Sequence, residues 1–279
     1  MTASLPQGKR VVSLVPSVTE TLLAWGVTPV GVTRWCEHPE LPQVGGTKDP
    51  DLAAVMDLEP DLVVMCEEEN RRDDATALGA AGVAVHPLRI RSVADVGPEL
   101  GALAARLGVA DRWASPPATP LAAPLPTRDP AARAPEPARP VPRPAPPVRG
   151  PGRRAFVPIW RQAGRGGGAA RFTTLNDDTY GASVLAWLGV ANAYGGAAER
   201  YPVTTLAEAA ATGADVVVAP SEPYPFGPRH VRELSAVAPV VLVDGQDLFW
   251  WGTRTAAALS RLAAALAVPG ASPSDPTDG

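Results

Sequence analysis

Cysteine and histidine side chains follow two apolar runs in the first third of the chain. Cys36 and His38 come soon after the run at 30–33, and Cys66 directly follows the run at 62–65. Thiolate and imidazole groups are ligands for zinc and for softer metals. These three side chains are therefore a candidate metal site. A buried thiol, a disulfide and a surface histidine remain alternatives, because no C-x-x-C or H-x-x-x-H spacing is present.

Aromatic side chains make up 5% of the chain, yet many of them stand where apolar runs end. Rings at such places offer a flat ligand a large contact area and offset stacking at a small entropy cost. Trp35 and Trp160 could instead pack in a core, but their position beside charged residues favours a binding role. The candidate ligand-binding residues are Trp35, Cys36, His38, Cys66, Glu68, Asn70, Trp160, Glu222, Tyr224, Phe249, Trp250 and Trp251.

A strand–helix–strand unit at the start of the chain positions the first of these residues. Residues 11–15 are apolar and rich in β-branched side chains, which predicts a buried strand. Ser17 lies three residues before Glu20, the spacing of a capping box, and Gly26 is a suitable αL cap, so a helix is predicted between them. A second strand at 30–33 then runs parallel to the first. Ligands of open α/β sheets bind at the carboxyl edge that these strands share.

The rest of the chain alternates between strand and helix patterns in the same way. This alternation predicts an α/β fold with parallel sheets on both sides of a Pro-rich interruption. Further strands are predicted at 62–65, 83–85, 155–159, 215–219 and 240–243, and helices after Asp51 and at 73–81, 95–107, 178–188, 205–211, 228–235 and 253–267.

Proline, alanine and arginine dominate residues 115–151, which hold fourteen of the chain's 33 prolines. Because proline within a helix costs about 3 kcal/mol, no helix is expected to run through this segment. An extended or disordered connector is predicted, and either a genuine replacement or a reading-frame error explains its composition. The predicted organisation is a first α/β lobe at 1–112, a connector at 113–153, a second lobe at 154–268 and a disordered tail at 269–279.

Several short motifs resemble those of the class III periplasmic binding proteins, which serve ABC importers of iron-siderophores, haem and cobalamin. The cobalamin-binding branch is the nearest in pattern. The motifs are S-L-V-P-S-V-T-E at 13–20, G-V-T-P-V-G-V at 26–32, V-G-G-T-K-D-P-D at 44–51, L-E-P-D-L-V-V at 58–64, F-V-P-I-W at 156–160 and P-S-E-P-Y-P-F at 220–226.

This resemblance implies two Rossmann-like lobes whose parallel sheets face a central cleft, joined in the family by one long helix. It implies capture of a metal chelate, either a corrinoid, haem or a ferric siderophore, with no cofactor required. Trp35 matches an aromatic position that contacts the corrin, and Phe249 or Trp250 lies near another. Cys66 stands where the cobalamin binders have tryptophan, which leaves the choice of chelate open. Permease docking through one acidic residue of each lobe makes Glu68, Asp73 and Glu222 candidates.

Composition and motifs restrict the other classes of function. The net charge of -4 argues against nucleic-acid binding, and no apolar run reaches transmembrane length. No G-x-G-x-x-G or G-x-S-x-G is present, so an enzyme is not expected. The protein is expected to be a monomer. The first residues, MTASLPQGKR, lack the apolar stretch of a secretory signal, which favours a cytoplasmic carrier or sensor. The resemblance instead implies a place outside the cytoplasmic membrane.

Overall fold

Contacts divide the chain into two units. The first unit contains 9–114 together with Trp250–Ala256, a segment that the sequence boundaries assigned to the second lobe. The second unit contains the described residues of 153–249 and those of 257–267. Residues 115–152 of the predicted connector and the whole predicted tail lie outside the described residues. The computed structural model describes residues 9–114, 153–164 and 168–267.

The first unit is a four-stranded parallel sheet with helices between the strands. Its strand order is β2-β1-β3-β4, so the first strand in the chain is an inner strand of the sheet. Its elements are β1 (Val11–Ser13), α1 (Pro16–Ala24), β2 (Gly31–Val32), α2 (Leu52–Asp57), β3 (Leu62–Cys66), α3 (Arg72–Ala80), β4 (Val85–Leu88), α4 (Val93–Leu107) and α5 (Ala110–Ala114).

The second unit contains a parallel sheet of order β11-β10-β5-β8 and a smaller antiparallel sheet of order β6-β7-β9. Counted along the chain, the strands of its parallel sheet repeat the order of the first unit. The elements from residue 153 onward are β5 (Arg154–Phe156), β6 (Trp160–Gln162), β7 (Arg171–Thr173), α6 (Tyr180–Trp187), β8 (Ala191–Asn192), β9 (Val203–Thr204), α7 (Leu206–Ala211), β10 (Val216–Pro220), α8 (Pro228–Leu234), β11 (Val240–Val243), α9 (Gly245–Phe249) and α10 (Thr255–Ala267).

These two α/β units with parallel sheets confirm the predicted fold class. The inner strands β1, β3 and β10 are buried along their whole length. Buried apolar side chains cover each sheet, with Val12, Leu14 and Val63 in the core of the first unit and Phe156 and Val217 in that of the second. None of the helices formed by the described residues has the length and apolar content needed to cross a bilayer.

Helix caps confirm some of the local predictions and correct one. Thr205 and Glu208 form the predicted capping box of α7, in which the Thr205 amide donates to Glu208 Oε2 at 2.7 Å. The capping box predicted for Ser17 and Glu20 is wrong. Helix α1 begins at Pro16, the residue before Ser17, and its N-cap Val15 makes no side-chain bond. Proline suits this first position because its fixed φ is helical and its missing N–H needs no partner there.

Gly252, which follows α9, allows the segment Trp250–Ala256 to pack closely against α1. Gly252 has a φ of +126°, and its amide donates to Thr255 Oγ1 at 3.0 Å. A Cβ at Gly252 would collide with Thr21 Oγ1, whose side chain is fully buried in α1. Gly82 also has a positive φ, of +82°, but a Cβ there would meet nothing within 4 Å. Substitutions at these two glycines therefore allow the cost of backbone strain to be distinguished from the cost of overpacking.

We expect Gly252→Ala to destabilise the protein more than the matched control Gly82→Ala. Both substitutions place a Cβ in the left-handed region, which costs about 1–2 kcal/mol. Only Gly252→Ala adds overpacking, worth about a further 1–3 kcal/mol. Urea denaturation followed by circular dichroism measures the free energy of unfolding of each variant. Equal losses in the two variants would show that 250–256 does not pack on α1 as described.

Candidate functional site

Trp35 is an exposed ring just beyond the carboxyl end of β2. The exposed fraction of this residue is 59%, the largest among the large hydrophobic residues of the described chain. The guanidinium of Arg34 lies 5.3 Å from the ring centroid, within cation–π range. Arg34 in turn contacts Asp49, with Nη2 to Oδ2 at 2.7 Å. The ring is thus supported from one side while a large part of its surface faces solvent.

Asn70 is a structural clamp at the same edge of the first sheet. Its Oδ1 accepts from the Cys66 amide at 2.7 Å, where β3 ends. Its Nδ2 donates to Leu14 O at 3.0 Å, after β1, and to Thr47 O at 2.9 Å. Both amide hydrogens are engaged and the residue is buried. The predicted ligand contact by Asn70 is therefore not supported, because its donors hold the loops that carry the edge.

The acidic candidates of the first unit differ in their surroundings. Glu68 is half-buried, and Lys48 Nζ donates to its backbone oxygen at 2.7 Å. Its neighbour Glu67 forms an ion pair with Arg91 at 3.2 Å. Asp73 is exposed in the first turn of α3, where the helix dipole favours a negative charge. Of the two docking candidates of the first unit, Asp73 is the better presented to a partner.

The cysteines and the histidine of the candidate metal site are not brought together. Neither cysteine forms a disulfide, and both are buried. Cys36 Sγ lies 3.2 Å from Thr19 Oγ1, and His38 Nδ1 lies 2.9 Å from Glu40 Oε1. Within the described residues, no group of three or more His, Cys, Asp or Glu side chains is placed to hold a metal ion. The metal prediction is therefore corrected.

Strand length explains why Cys66 is not at the edge. The sequence placed Cys66 just after a strand, but β3 continues through it and buries its side chain in the lobe. Burial, and after it the nearby charge of Glu69, raises the pKa of the thiol to about 12. A thiol in this state is protonated at neutral pH, and the thiolate is the form that binds metals.

Trp160 and Tyr224 form the aromatic centre of the second unit. Trp160 is 46% exposed, and its ring meets Tyr224 edge to face at a centroid distance of 5.7 Å. Tyr224 also lies 4.7 Å from the buried ring of Phe226. Trp160 belongs to β6 of the antiparallel sheet rather than to the end of a parallel strand. The predicted exposure is present, but a different element supplies it.

Arg161 and His230, which the sequence did not single out, flank Tyr224. Arg161 makes a two-pronged ion pair with Glu233, with Nε to Oε2 at 2.9 Å and Nη2 to Oε1 at 2.9 Å. The bond to Glu233 raises the pKa of Arg161. His230 accepts from the Gly227 amide at 3.1 Å, and burial lowers its pKa. No motif marks these residues, because β6 supplies Arg161 and α8 supplies His230, two elements far apart in the sequence.

Glu222 lies where the loops after β10 and β11 approach each other. A Cβ at Gly245 would stand 2.6 Å from the Glu222 amide nitrogen, so only glycine fits there. The Gly245 amide donates to Ser221 Oγ at 3.0 Å, which joins the two loops. Glu222 itself is half-buried. Its carboxylate therefore stands on a closely packed support at the carboxyl edge of the second sheet.

The three consecutive aromatics after β11 have different surroundings. Phe249 packs over Gly181 of α6, at whose position a Cβ would lie 2.8 Å from the ring. Trp250 is half-buried, with the guanidinium of Arg254 5.2 Å from its ring centroid. Trp251 is only 3% exposed and belongs to the core. The burial of Trp251 does not favour the predicted ligand contact, which stays a prediction.

Comparison with known proteins agrees with the predicted resemblance. No protein-family model matches the chain. A vitamin B12-binding protein of Salmonella typhimurium is 33% identical over 100 residues, which are 33% of this chain and 38% of that protein. A vitamin B12-binding protein of Salmonella choleraesuis is 31% identical over a stretch that is 38% of its length. The matched stretch thus spans well under half of these relatives.

Solved structures match nearly the whole chain in fold. The periplasmic vitamin B12-binding protein BtuF of Vibrio cholerae has a TM-score of 0.65 at 17% identity, over 93% of this chain and 96% of that one. A periplasmic haem-binding protein of Pseudomonas aeruginosa has a TM-score of 0.66 at 21% identity, over 92% of each chain. The resemblance to periplasmic binding proteins is confirmed, and at these identities it establishes the fold.

We expect Cys66 to resist alkylation in the folded protein. With a pKa of about 12, its thiol carries almost no thiolate at pH 8 and is also covered. The variant Cys36→Ala leaves Cys66 as the single cysteine, so iodoacetamide uptake followed by mass spectrometry reports on it alone. Labelling should be slow in buffer and complete in urea. Rapid labelling in buffer would contradict the placement of Cys66 inside β3.

Folding stability should fall at high pH for the same reason. The folded state keeps the Cys66 proton up to a pKa of about 12, whereas an unfolded cysteine loses it near the ordinary value. The unfolded state therefore binds fewer protons above about pH 8.5–9, and the free energy of unfolding declines from there as the pH rises. Cys66→Ala should show a shallower decline over this range than the unmodified protein.

Proposed function

We propose that this protein is a substrate-binding protein of an ABC importer, which captures a metal chelate and presents it to a permease. The chelate belongs to the corrinoid, haem or ferric siderophore class. Its flat or bulky ring system is held by exposed aromatic side chains such as Trp35 at the carboxyl edge of the first sheet. No covalent chemistry and no resident cofactor are part of the proposal.

The observation that carries this proposal is the exposed Trp35 ring at the carboxyl edge of the first sheet. Burying a large aromatic ring stabilises a protein, so a ring that is 59% exposed and held by Arg34 is poised for a ligand. Trp160, with Tyr224 beside it, offers a similar surface in the second unit. Both are far more exposed than core tryptophans such as Trp25, which is 1% exposed.

The named relatives support a binding role rather than a catalytic one. Vitamin B12 and haem are the ligands that their names record, and both are large metal macrocycles. Because the solved structures of similar fold are those of periplasmic proteins, we place the present protein outside the cytoplasmic membrane as part of the same proposal. The exposed aromatic side chains suit either macrocycle. Cys66 is buried, so its side chain does not determine which of the two is bound.

Docking to the permease is proposed to use acidic side chains on each unit. Asp73 is exposed at the start of α3, and Glu222 stands at the loop junction of the second unit. Exposed charges such as that of Asp73 steer a partner and set its register rather than supply most of the affinity. Glu68 is the remaining candidate in the first unit, and its half-buried position makes it the weaker of that pair.

We expect Trp35→Ala to weaken binding of the correct chelate by tenfold or more, equivalent to about 1.4 kcal/mol. The ring supplies stacking area that alanine lacks, whereas Trp35→Phe should stay within about threefold because an aromatic face is kept. Isothermal titration with hydroxocobalamin, haem and a ferric siderophore identifies the ligand and measures each affinity.

Met56→Ala is the control for this experiment. Met56 is 41% exposed but lies on α2 rather than after a strand, so its loss should leave the affinity unchanged. The proposal fails if none of the three chelates binds the unmodified protein. It also fails in its assignment of Trp35 if Trp35→Ala and Met56→Ala bind equally well.

We expect Asp73→Lys to impair delivery and to leave capture intact. The substitution reverses a charge that is exposed in α3 and remote from Trp35 in sequence. In vesicles that contain the cognate permease, ligand uptake should fall several-fold, while the affinity measured by titration stays within twofold. Asp57→Lys, on α2 of the same unit, is the matched charge reversal. A similar loss of uptake in both variants would argue against Asp73 as a docking residue.

A further inference from the structure

A cavity of about 500 Å³ lies at the amino edge of the first sheet, opposite the edge that carries Trp35. Its walls come from the residues just before β1 and β2 and from those just after α4. Three of them are cations, Lys9, Arg10 and Arg112, and none of the lining residues within the described part of the chain is acidic. The proposed chelate site uses none of these residues.

Backbone carbonyls at helix ends hold the three cations in place. Arg10 Nη2 donates to Leu58 O at 2.6 Å, at the C-cap of α2. Arg112 Nη1 donates to Trp25 O at the C-cap of α1. These bonds satisfy carbonyls that a helix leaves without partners, and they fix the direction of each guanidinium.

Lys9 completes the arrangement, with Nζ donating to Arg106 O near the end of α4. Carbonyls position a cation without neutralising it. In the described part of the chain none of the three forms an ion pair, and the nearby Asp61 accepts the backbone amide of Arg10 rather than its guanidinium. Three unit charges, set against about half a negative charge at each of three helix ends and against the carboxylate of Asp61, leave an excess of roughly +0.5.

Donors remain for a ligand after these bonds are made. A guanidinium has five N–H groups, and the helix-end contact of Arg112 uses one nitrogen, Nη1. Gly26, whose φ is +71°, lies where a Cβ would approach that Nη1 to 3.0 Å, so its missing side chain leaves room for the group. The cations are thus held ready, with unused donors, around a space that is open to a small molecule.

Most of the other side chains that line the cavity are apolar. They include Val27, Val30, Leu107 and Val109. An inorganic anion would leave much of this surface without contact, whereas an organic group would cover it. We propose that the cavity binds a small organic oxyanion, a carboxylate or phosphate that carries an apolar group. The oxyanion meets the three cations and the apolar group lies against the valines and the leucine.

Thr28 allows the proposal to be tested without disturbing any helix cap. Thr28 lines the cavity, is exposed, and makes no bond to the three cations in the described residues. Thr28→Glu introduces a carboxylate that competes with the ligand for the cations. Glutamine is nearly the same size as glutamate but carries no charge, so Thr28→Gln is the matched control. Thermal unfolding of both variants verifies that they fold.

The probes are phenyl phosphate, benzoate and inorganic phosphate, titrated calorimetrically at low ionic strength. We expect phenyl phosphate or benzoate to bind the unmodified protein more tightly than inorganic phosphate does, and the preferred organic probe defines the head group. Thr28→Gln should stay within twofold of the unmodified protein, and Thr28→Glu should lose at least tenfold. Added sodium chloride should weaken the binding.

Three results would overturn the proposal. The first is that none of the probes binds the unmodified protein. The second is equal affinity of Thr28→Glu and Thr28→Gln. The third is tighter binding of inorganic phosphate than of both organic probes, which would remove the role given to the apolar walls. Chelate titrations on the same samples distinguish failure here from failure of the proposed function, since the two sites share no residue.

Discussion

Parallel pairing of the inner strands is the constraint on which each unit depends. In the first unit β1 pairs with β2 and β3, and in the second β10 pairs with β5 and β11. Buried backbone N–H and C=O groups must find partners, and a parallel ladder satisfies them only with a crossover between strands. All carboxyl ends then emerge at one edge. This geometry gathers Trp35 and the loop of Glu68 at one edge of the first sheet, and Glu222 at that of the second.

Elements governed by local chemistry could be predicted from the sequence. The strand pattern, the αL glycine after α4 and the capping box of α7 depend on residues within one turn of each other. The β-branched runs predicted the inner strands, because such runs fill a doubly covered sheet. The exposure of Trp35 was also predicted, since a charged neighbour after a short strand leaves the ring outside the core.

Features that depend on distant partners could not be predicted in this way. Cys66 is a core residue rather than a candidate ligand because β3 extends by one position to include it, and the side chains on both faces of this strand are buried. Asn70 has the composition of a ligand contact, but its partners at Leu14 and Thr47 are set by tertiary structure. The antiparallel sheet that carries Trp160 pairs strands from three separate parts of the chain, such as Phe172 with Thr204, and a glycine-rich stretch with no strand pattern separates the first two strands.

The return of Trp250–Ala256 to the first unit has a consequence for synthesis on the ribosome. The Thr253 amide donates to Thr21 Oγ1 across 232 residues of sequence, and Arg254 pairs with Glu20 at 3.0 Å. The amino-terminal sheet can pair its strands as soon as they leave the exit tunnel. Helix α1, however, keeps an uncovered face until almost the whole chain has been made. Folding during synthesis is therefore completed at α1, one of the first elements to be made. A nascent chain truncated before Trp250 would expose the uncovered face of α1 to chaperones and proteases.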